Sequence, residues 1–209
     1  CVPVEVGRHY LDDSWTQTMM TLGDFIDKFV LPDNRNGYLA QTQLFDQIRP
    51  LRRDIAIPDY CALGGLHNVA AFERDHEPPF AREQRERDSA LGQVAIHAWF
   101  GPSGTESPCH HDPTNNLLCQ VFGAKRVRLY DPRHTPLLYP HDKSDRMRWN
   151  SSAVEPSVRA PDVARFPLVQ QAPFFECVLR PGEMLFIPPR CWHHVESLSR
   201  SFSVSFWWQ

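Results

Sequence analysis

The sequence predicts a mostly-β domain, a sandwich or barrel of short strands with little helix. Three observations carry this. Proline supplies 19 of the 209 residues, against an average near 5%, and proline is poorly tolerated in helix interiors. From residue 94 the chain becomes a series of short apolar or alternating runs broken by turn residues, the signature of a sandwich or barrel. Helical patterning is confined to short segments.

Taken in order, TLGDFIDKFV (21–30) reads as a short helix. Thr21 is placed to cap it with Asp24 at the third position, and Leu22, Phe25, Ile26 and Phe29 form an apolar stripe. YLAQTQLFDQI (38–48) reads as a strand running into a helical turn. Residues 64–93 contain Gly-Gly, Pro-Pro and the doubly charged run AREQRERDSA, and read as a surface insertion. VAIHAWF (94–100) is an apolar strand. LLCQVF (117–122) and KRVRLYD (125–131) flank Gly123-Ala124, a pair that suits a type II′ hairpin turn. Residues 132–173 read as proline-punctuated loop with one helix. ECVLRPGEMLFIP (176–188) reads as a second hairpin around Pro181-Gly182, and 193–208 ends in strand alternation.

The chain is long enough for one domain, spanning 1–209, that buries about 70% of its unfolded surface. With 22 basic and 25 acidic residues the net charge is −3, so no basic excess points to direct nucleic-acid binding. No apolar run reaches the roughly 18 residues of a membrane span. The first ten residues, CVPVEVGRHY, lack the cationic start and apolar stretch of a secretory signal. The six cysteines form no C-x-x-C pair, and are expected to be reduced, mostly buried thiols of an intracellular protein.

The segment with chemistry is Ser107-Pro108-Cys109-His110-His111-Asp112-Pro113. On an extended backbone, residues i and i+2 share a side, so His110 and Asp112 can hold one metal ion together. A His-x-Asp pair with one distant His is the facial triad of non-haem Fe(II) oxygenases, which leaves positions open for cosubstrate and O₂. The third ligand is available in Pro188-Pro189-Arg190-Cys191-Trp192-His193-His194-Val195, where one of the paired histidines points inward. His194-Val195-Glu196 is a competing His-x-acid pair. In KRVRLY, Lys125 shares its strand face with Val127 and Leu129, where an unpaired ammonium is costly. It is either a strand-end lysine reaching for water or an inward cation awaiting a carboxylate such as the far end of 2-oxoglutarate. On the last strand Ser203, Ser205 and Trp207 alternate with Phe202, Val204, Phe206 and Trp208, giving a small polar face suited to a cavity or to solvent.

These stretches resemble the JmjC (Jumonji-C) family of Fe(II)- and 2-oxoglutarate-dependent oxygenases. The likeness is carried by VPVEVG (2–7), GYLAQTQLFDQI (37–48), AWFGPSGTESPCHHDPTNNLLCQVFGAK (98–125), LYPHD (138–142) and PGEMLFIPPRCWHHV through SFSVSFWW (181–208). The resemblance implies a double-stranded β-helix, a cupin-like jelly-roll, with peripheral helices. It makes His110, Asp112 and His193 the iron ligands, His193 because it directly follows Trp192. It puts Lys125, Tyr38 and Ser107 on the distal carboxylate of 2-oxoglutarate and Asn116 at its iron-bound end, with Trp99 and Trp207 walling the pocket. Two features depart from the family pattern: the 64–93 segment is long, and His111 stands where another polar residue is usual. No catalytic role is assigned to His111.

The resemblance further implies a protein or peptide substrate, with O₂ as second cosubstrate, and a nuclear location, with the cytoplasm as an alternative. Family members of this kind are associated with arginyl hydroxylation and, with dispute, with demethylation of histone methyl-lysine. Glu5 and Trp15 match positions near the substrate pocket. A carboxylate can bind guanidinium bidentately and an indole can stack on it, which favours arginine over methyl-lysine. A non-catalytic chromatin-associated binding module or a protease is the remaining class. Retention of Asp112 and Lys125 argues against the first, and the lack of a credible nucleophile or acid–base pair argues against the second.

Overall fold

The computed structural model describes residues 1–7, 9–12, 14–63, 78–83, 94–154 and 157–209. Its strands are β1 (Val2–Val6), β2 (Thr16–Met20), β3 (Gly37–Thr42), β4 (Ala95–Gly101), β5 (Glu106–His110), β6 (Asn115–Phe122), β7 (Lys125–Tyr130), β8 (Phe175–Leu179), β9 (Met184–Ile187), β10 (Trp192–Ser197) and β11 (Ser201–Trp208). All pair antiparallel, in a larger sheet ordered β2-β1-β3-β4-β11-β6-β9 and a smaller one ordered β5-β10-β7-β8. This is the mostly-β, two-sheet, cupin-like architecture that the sequence predicts.

Side-chain alternation sets what each sheet face does. On the larger sheet Ile96, Ala98, Leu117, Val204, Phe206 and Trp208 turn outward and join a core with Phe25, Leu39, Leu44 and Phe45. The opposite face looks into the jelly-roll. There Leu118 and Ile187 meet Val127, Leu179 and Val195 of the smaller sheet. A third cluster, including Cys109, Tyr130, Leu138, Phe166 and Trp192, packs the 132–172 connection onto the smaller sheet. The Ser203 and Ser205 face is interior, not a solvent face: both serines are buried, Ser203 Oγ donating to Gln120 Oε1 (2.7 Å) and the Trp99 indole N–H donating to Ser205 Oγ (2.9 Å).

The helical segment at 21–30 forms as α1 (Leu22–Phe25), which widens into a π-helical turn over Ile26–Val30. Thr21 caps it by accepting from the Asp24 N–H, and its hydroxyl donates to Asp24 Oδ2 (2.7 Å). The 38–48 segment is β3 followed by α2 (Leu44–Gln47). In the 132–173 connection, Pro132–Leu138 and Pro167–Gln171 are 3₁₀ turns. Of the expected 64–93 insertion, only 78–83 lies within the described residues, with a helical turn at 79–83. The cysteines are unpaired, with Cys61, Cys109 and Cys191 buried. Among the described residues, no helix is long and apolar enough to cross a membrane.

Both expected hairpins are overturned. β6 pairs with β11 and β9, whereas β7 pairs with β10 and β8, so Gly123-Ala124 is a corner between sheets. Pro181-Gly182 is the matching corner, between β8 on one sheet and β9 on the other. The local turn residues are right for a reversal. What decides the outcome is long-range pairing: each β-run bends as one unit from sheet to sheet, and the Pro181-Gly182 corner hydrogen-bonds to β6. Gly182 N–H donates to the Gln120 carbonyl (2.9 Å) and Gln120 N–H to the Glu183 carbonyl (3.0 Å). Gly123 is required for proximity as well as for its φ of +72°, because a Cβ there would lie 2.0 Å from the Arg200 carbonyl oxygen.

Candidate active site

β5 ends at His110, and the chain turns through His111 to Asp112 under a backbone clamp. His111 N–H donates to the Asn150 carbonyl (2.9 Å), the Asn150 amide donates back to the His111 carbonyl (2.8 Å), and Arg190 N–H donates to the Asp112 carbonyl (2.7 Å). β10 runs antiparallel to β5 with His193 directly opposite His110. Its start is fixed by Trp192, which is buried and whose indole N–H donates to Thr135 Oγ1 (2.9 Å). The two imidazoles therefore stand with ring centroids 4.2 Å apart. The Asp112 carboxylate closes the triangle, 3.9 Å from His110 Nε2 and 3.6 Å from His193 Nε2.

This donor set fits a divalent cation. His110 Nδ1 lies 2.7 Å from the Pro108 carbonyl and His193 Nδ1 lies 3.0 Å from the Cys191 carbonyl. A carbonyl can only accept, so each Nδ1 carries the proton and each Nε2 presents its lone pair; a fixed tautomer of this kind is typical of ligating histidines. Burial, with the neighbouring His110, pulls His193 down to about 4, so its ring is neutral at physiological pH, as a ligand must be. Asp112 Oδ2 is buried without a hydrogen-bond partner. One donor atom from each of the three residues falls within 4.8 Å of the others. Two histidines and one carboxylate on a single face make the facial donor set suited to non-haem Fe(II).

The triad shares a narrow cleft with Tyr38, Trp99, Ser107, Asn116, Lys125 and Ser205. Lys125 is the notable member. It is 1% exposed and has no carboxylate partner among the described residues; its Nζ donates to the Tyr38 hydroxyl (3.1 Å) and stands 5.6 Å and 5.9 Å from the Tyr38 and Trp99 ring centres. Burial pulls its ammonium down from 10.5 to about 7. The Tyr38 hydroxyl also meets Ser107, and burial raises the tyrosine well above its ordinary range. Asn116 Oδ1 is buried without a hydrogen bond. The cleft thus has a cluster of divalent-metal donors and a desolvated cation with two hydroxyls. A small dianion that chelates a metal by one end matches both.

Eight of the sequence candidates are gathered in this cleft: His110, Asp112, His193, Lys125, Tyr38, Ser107, Asn116 and Trp99. Trp207 is not among the cleft-lining residues: its ring packs on His97 at 4.8 Å and lines a neighbouring groove. Strand alternation puts it on the same face as Ser205, two residues further along β11. Glu5 and Trp15 lie outside the cleft lining, on and beside the N-terminal strands. Glu5 is in register with Tyr38 across β1 and β3, and its carboxyl is raised by burial, with the Trp15 indole opposing that rise.

The competing pair His194-x-Glu196 is not assembled. His194 faces away, its Nε2 2.6 Å from Glu106 Oε1 and 3.2 Å from Ser157 Oγ, while Glu196 is bound by Arg126 (3.1 Å) and Arg159. His111 is packed edge-on against Trp192 and Trp149 at 4.6 Å and 5.3 Å, lining a separate pocket. Sequence reasoning missed Tyr10. Its ring stands edge-on to His110 at 6.5 Å, its hydroxyl is 3.0 Å from Ser151 Oγ, and both Asp112 and Glu5 act on it. A lone tyrosine in an irregular stretch carries no local signal, because only the fold brings it to the triad.

A two-sheet jelly-roll with a facial donor set in its interior is the architecture of a cupin-like domain. Residues 9–209 match the cupin-like domain family, and the chain belongs to it. More particularly, it is a JmjC member by its relatives. It is 46% identical over 209 residues to lysine-specific demethylase 8 of Danio rerio, covering 99% of this chain and 45% of that protein. It is 39% identical over 213 residues to Jumonji C domain-containing protein 5 of Drosophila melanogaster, covering 100% and 47%. To lysine-specific demethylase JMJ30 of Arabidopsis thaliana it is 42% identical over 213 residues, covering 99% and 42%. The chain spans less than half the length of each of these relatives.

Proposed function

We propose that this domain is an Fe(II)- and 2-oxoglutarate-dependent protein oxygenase that hydroxylates a carbon of arginyl residues in protein substrates. The observation that carries the oxygenase reading is the pairing, in one cleft, of the His110, Asp112 and His193 donors with the buried Lys125. His110, Asp112 and His193 would hold Fe(II) through Nε2, a carboxylate oxygen and Nε2. Lys125, Tyr38 and Ser107 would bind the distal carboxylate of 2-oxoglutarate, and the Asn116 amide its chelating end. When bound, iron with 2-oxoglutarate and O₂ supplies the power to oxidise a C–H bond, with 2-oxoglutarate leaving as succinate and CO₂. The protein's part is orientation and exclusion of water: Trp99, Leu118, Ile187 and Val195 line the cleft with apolar surface, and the Nδ1–H bonds to backbone carbonyls keep both imidazoles aimed.

The arginyl assignment is supported by Glu5. It is a half-buried carboxylate whose charge is poorly solvated, facing the Trp15 indole within reach of Tyr10 and Tyr38. A planar guanidinium can be bound bidentately by Glu5 while its face stacks on Trp15. The second reading, methyl-lysine demethylation by the same chemistry, is favoured by the names of the relatives from Danio rerio and Arabidopsis thaliana. A nuclear site of action goes with either.

Aerobic turnover of arginine-centred and methyl-lysine-centred peptides, read by mass spectrometry, separates the two. Arginyl hydroxylation predicts a gain of one oxygen on arginine. It also predicts that Glu5→Gln raises KM for that peptide about tenfold or more, since a hydrogen bond to a charged group contributes about 1.5–3 kcal/mol. Loss of a methyl group with arginine untouched would replace this reading with demethylation.

A further inference from the structure

His111 stands between two metal donors in the sequence and takes no part in the triad. With Trp192, the neighbour of His193, it lines a separate pocket of about 250 Å³. This pocket shares no lining residue with the triad cleft. Its walls come from the 132–149 connection, from His111, and from Arg190 and Trp192 where the chain enters β10.

Three properties of these walls restrict what fits. Much of the lining is aromatic or apolar. Trp149 and Trp192 stand edge-on to the His111 ring at 5.3 Å and 4.6 Å, and Pro132, Pro136 and Pro140 add to the same lining. Surface of this kind favours a flat ring. The charge is of one sign: Arg133, Lys143 and Arg190 line the pocket and, among the described residues, no carboxylate does. Arg133 is already paired with Asp131 (2.8 Å), whereas Lys143 is exposed at the rim and Arg190 is close enough to act on the His111 ring. The acids beside Lys143 in the sequence are turned to local N–H groups, Asp142 accepting from Ser144 (2.8 Å) and Asp145 from Met147 (2.9 Å). The third property is size. The volume falls just below the roughly 300–1,000 Å³ of pockets for drug-sized ligands, which excludes a nucleotide and suits an acid of one or two rings. A guanidinium and an ammonium at the edge of an apolar slot are the partners of a carboxylate.

We propose that this pocket binds a small aromatic carboxylate, its ring against Trp149, Trp192 and the prolines and its carboxylate at Lys143 and Arg190. The proposal goes beyond the oxygenase reading and does not depend on it, since the ligand is neither substrate nor cosubstrate of the triad cleft.

The test is isothermal titration of the full chain with two aromatic acids, indole-3-acetate and phenylacetate, and with the corresponding amides, which keep the rings and lack the charge. At least one acid is expected to bind saturably, about tenfold or more tighter than its amide, as one charge-assisted hydrogen bond supplies. Lys143→Glu changes an exposed side chain and should weaken that acid about tenfold or more while leaving the amide within about twofold. Trp149→Leu should weaken acid and amide alike; Lys143→Glu alone remains decisive should Trp149→Leu fail to fold by circular dichroism. Lys125→Met locates the site: undiminished binding of the acid is expected there, and its loss would move the acid to the triad cleft and overturn the proposal. No saturable binding by either acid, equal affinity for acid and amide, or undiminished binding in folded Lys143→Glu would also overturn it.

Discussion

Replacing Lys125 by methionine keeps most of the volume of the side chain and deletes a charge that the fold opposes. Burial moves the ammonium from 10.5 to about 7, which at about 1.4 kcal/mol per pH unit places the cost of holding it charged near 5 kcal/mol. Some is offset by what the charge gains: the Tyr38 hydrogen bond and its position over the Tyr38 and Trp99 rings, together about 2 kcal/mol. Lys125→Met should therefore stabilise the ligand-free protein by about 3 kcal/mol at pH 7, which for a chain of this size raises Tm by about 6–12 °C. The folded-state pKa is depressed, so below pH 7 both states are protonated and the full cost is present. Between pH 7 and 10.5 the unfolded chain holds the proton that the native lysine has released, so the native wild type gains stability as pH rises. The variant lacks this dependence, and its advantage should shrink across that window. Thermal melts of both proteins at several pH values check this, and added 2-oxoglutarate should raise the wild-type Tm and not the variant's. A variant less stable than wild type at pH 7, or a difference that does not change with pH, would refute the account of Lys125 as an unpaired buried cation.

Two further outcomes follow from the geometry. Mn(II), or Fe(II) under anaerobic conditions, should stabilise the wild type by about 2.7 kcal/mol at one hundred times its Kd, and this gain should vanish in His193→Ala, as read by differential scanning fluorimetry. Gly123→Ala should cost about 2–4 kcal/mol, because its Cβ would meet the Arg200 carbonyl oxygen at 2.0 Å and the φ of +72° disfavours any side chain; a urea midpoint close to wild type would contradict the corner as described.

What the sequence made legible divides along a physical line. His110 and Asp112 are two residues apart, so local strand geometry alone puts them on one side. Lys125 betrayed itself by standing on an apolar face with Val127. The choice between His193 and His194 needed the register of β10 on β5, which no local pattern encodes. The hairpins failed for a related reason. Gly123-Ala124 and Pro181-Gly182 have reversal chemistry, but the partners of β6 and β7 are β11, β9, β10 and β8, and pairing across tens of residues overrides the turn. Trp207 has the right strand parity and the wrong depth: alternation specifies a face and says nothing of position along it. Tyr10 comes to His110 only because β1 and β2 extend the larger sheet, and neither strand had been expected from the sequence.

The oxygenase assignment is tested most directly by following 2-oxoglutarate to succinate under air with Fe(II) and ascorbate, in the wild type and in folded Asp112→Ala. The expected result is O₂-dependent succinate formation that needs added Fe(II), rises with a suitable peptide, and is lost in Asp112→Ala. Failure of the Fe(II)-loaded wild type to consume 2-oxoglutarate, or consumption that persists unchanged in Asp112→Ala, would contradict the assignment of His110, Asp112 and His193 as the metal centre of an oxygenase.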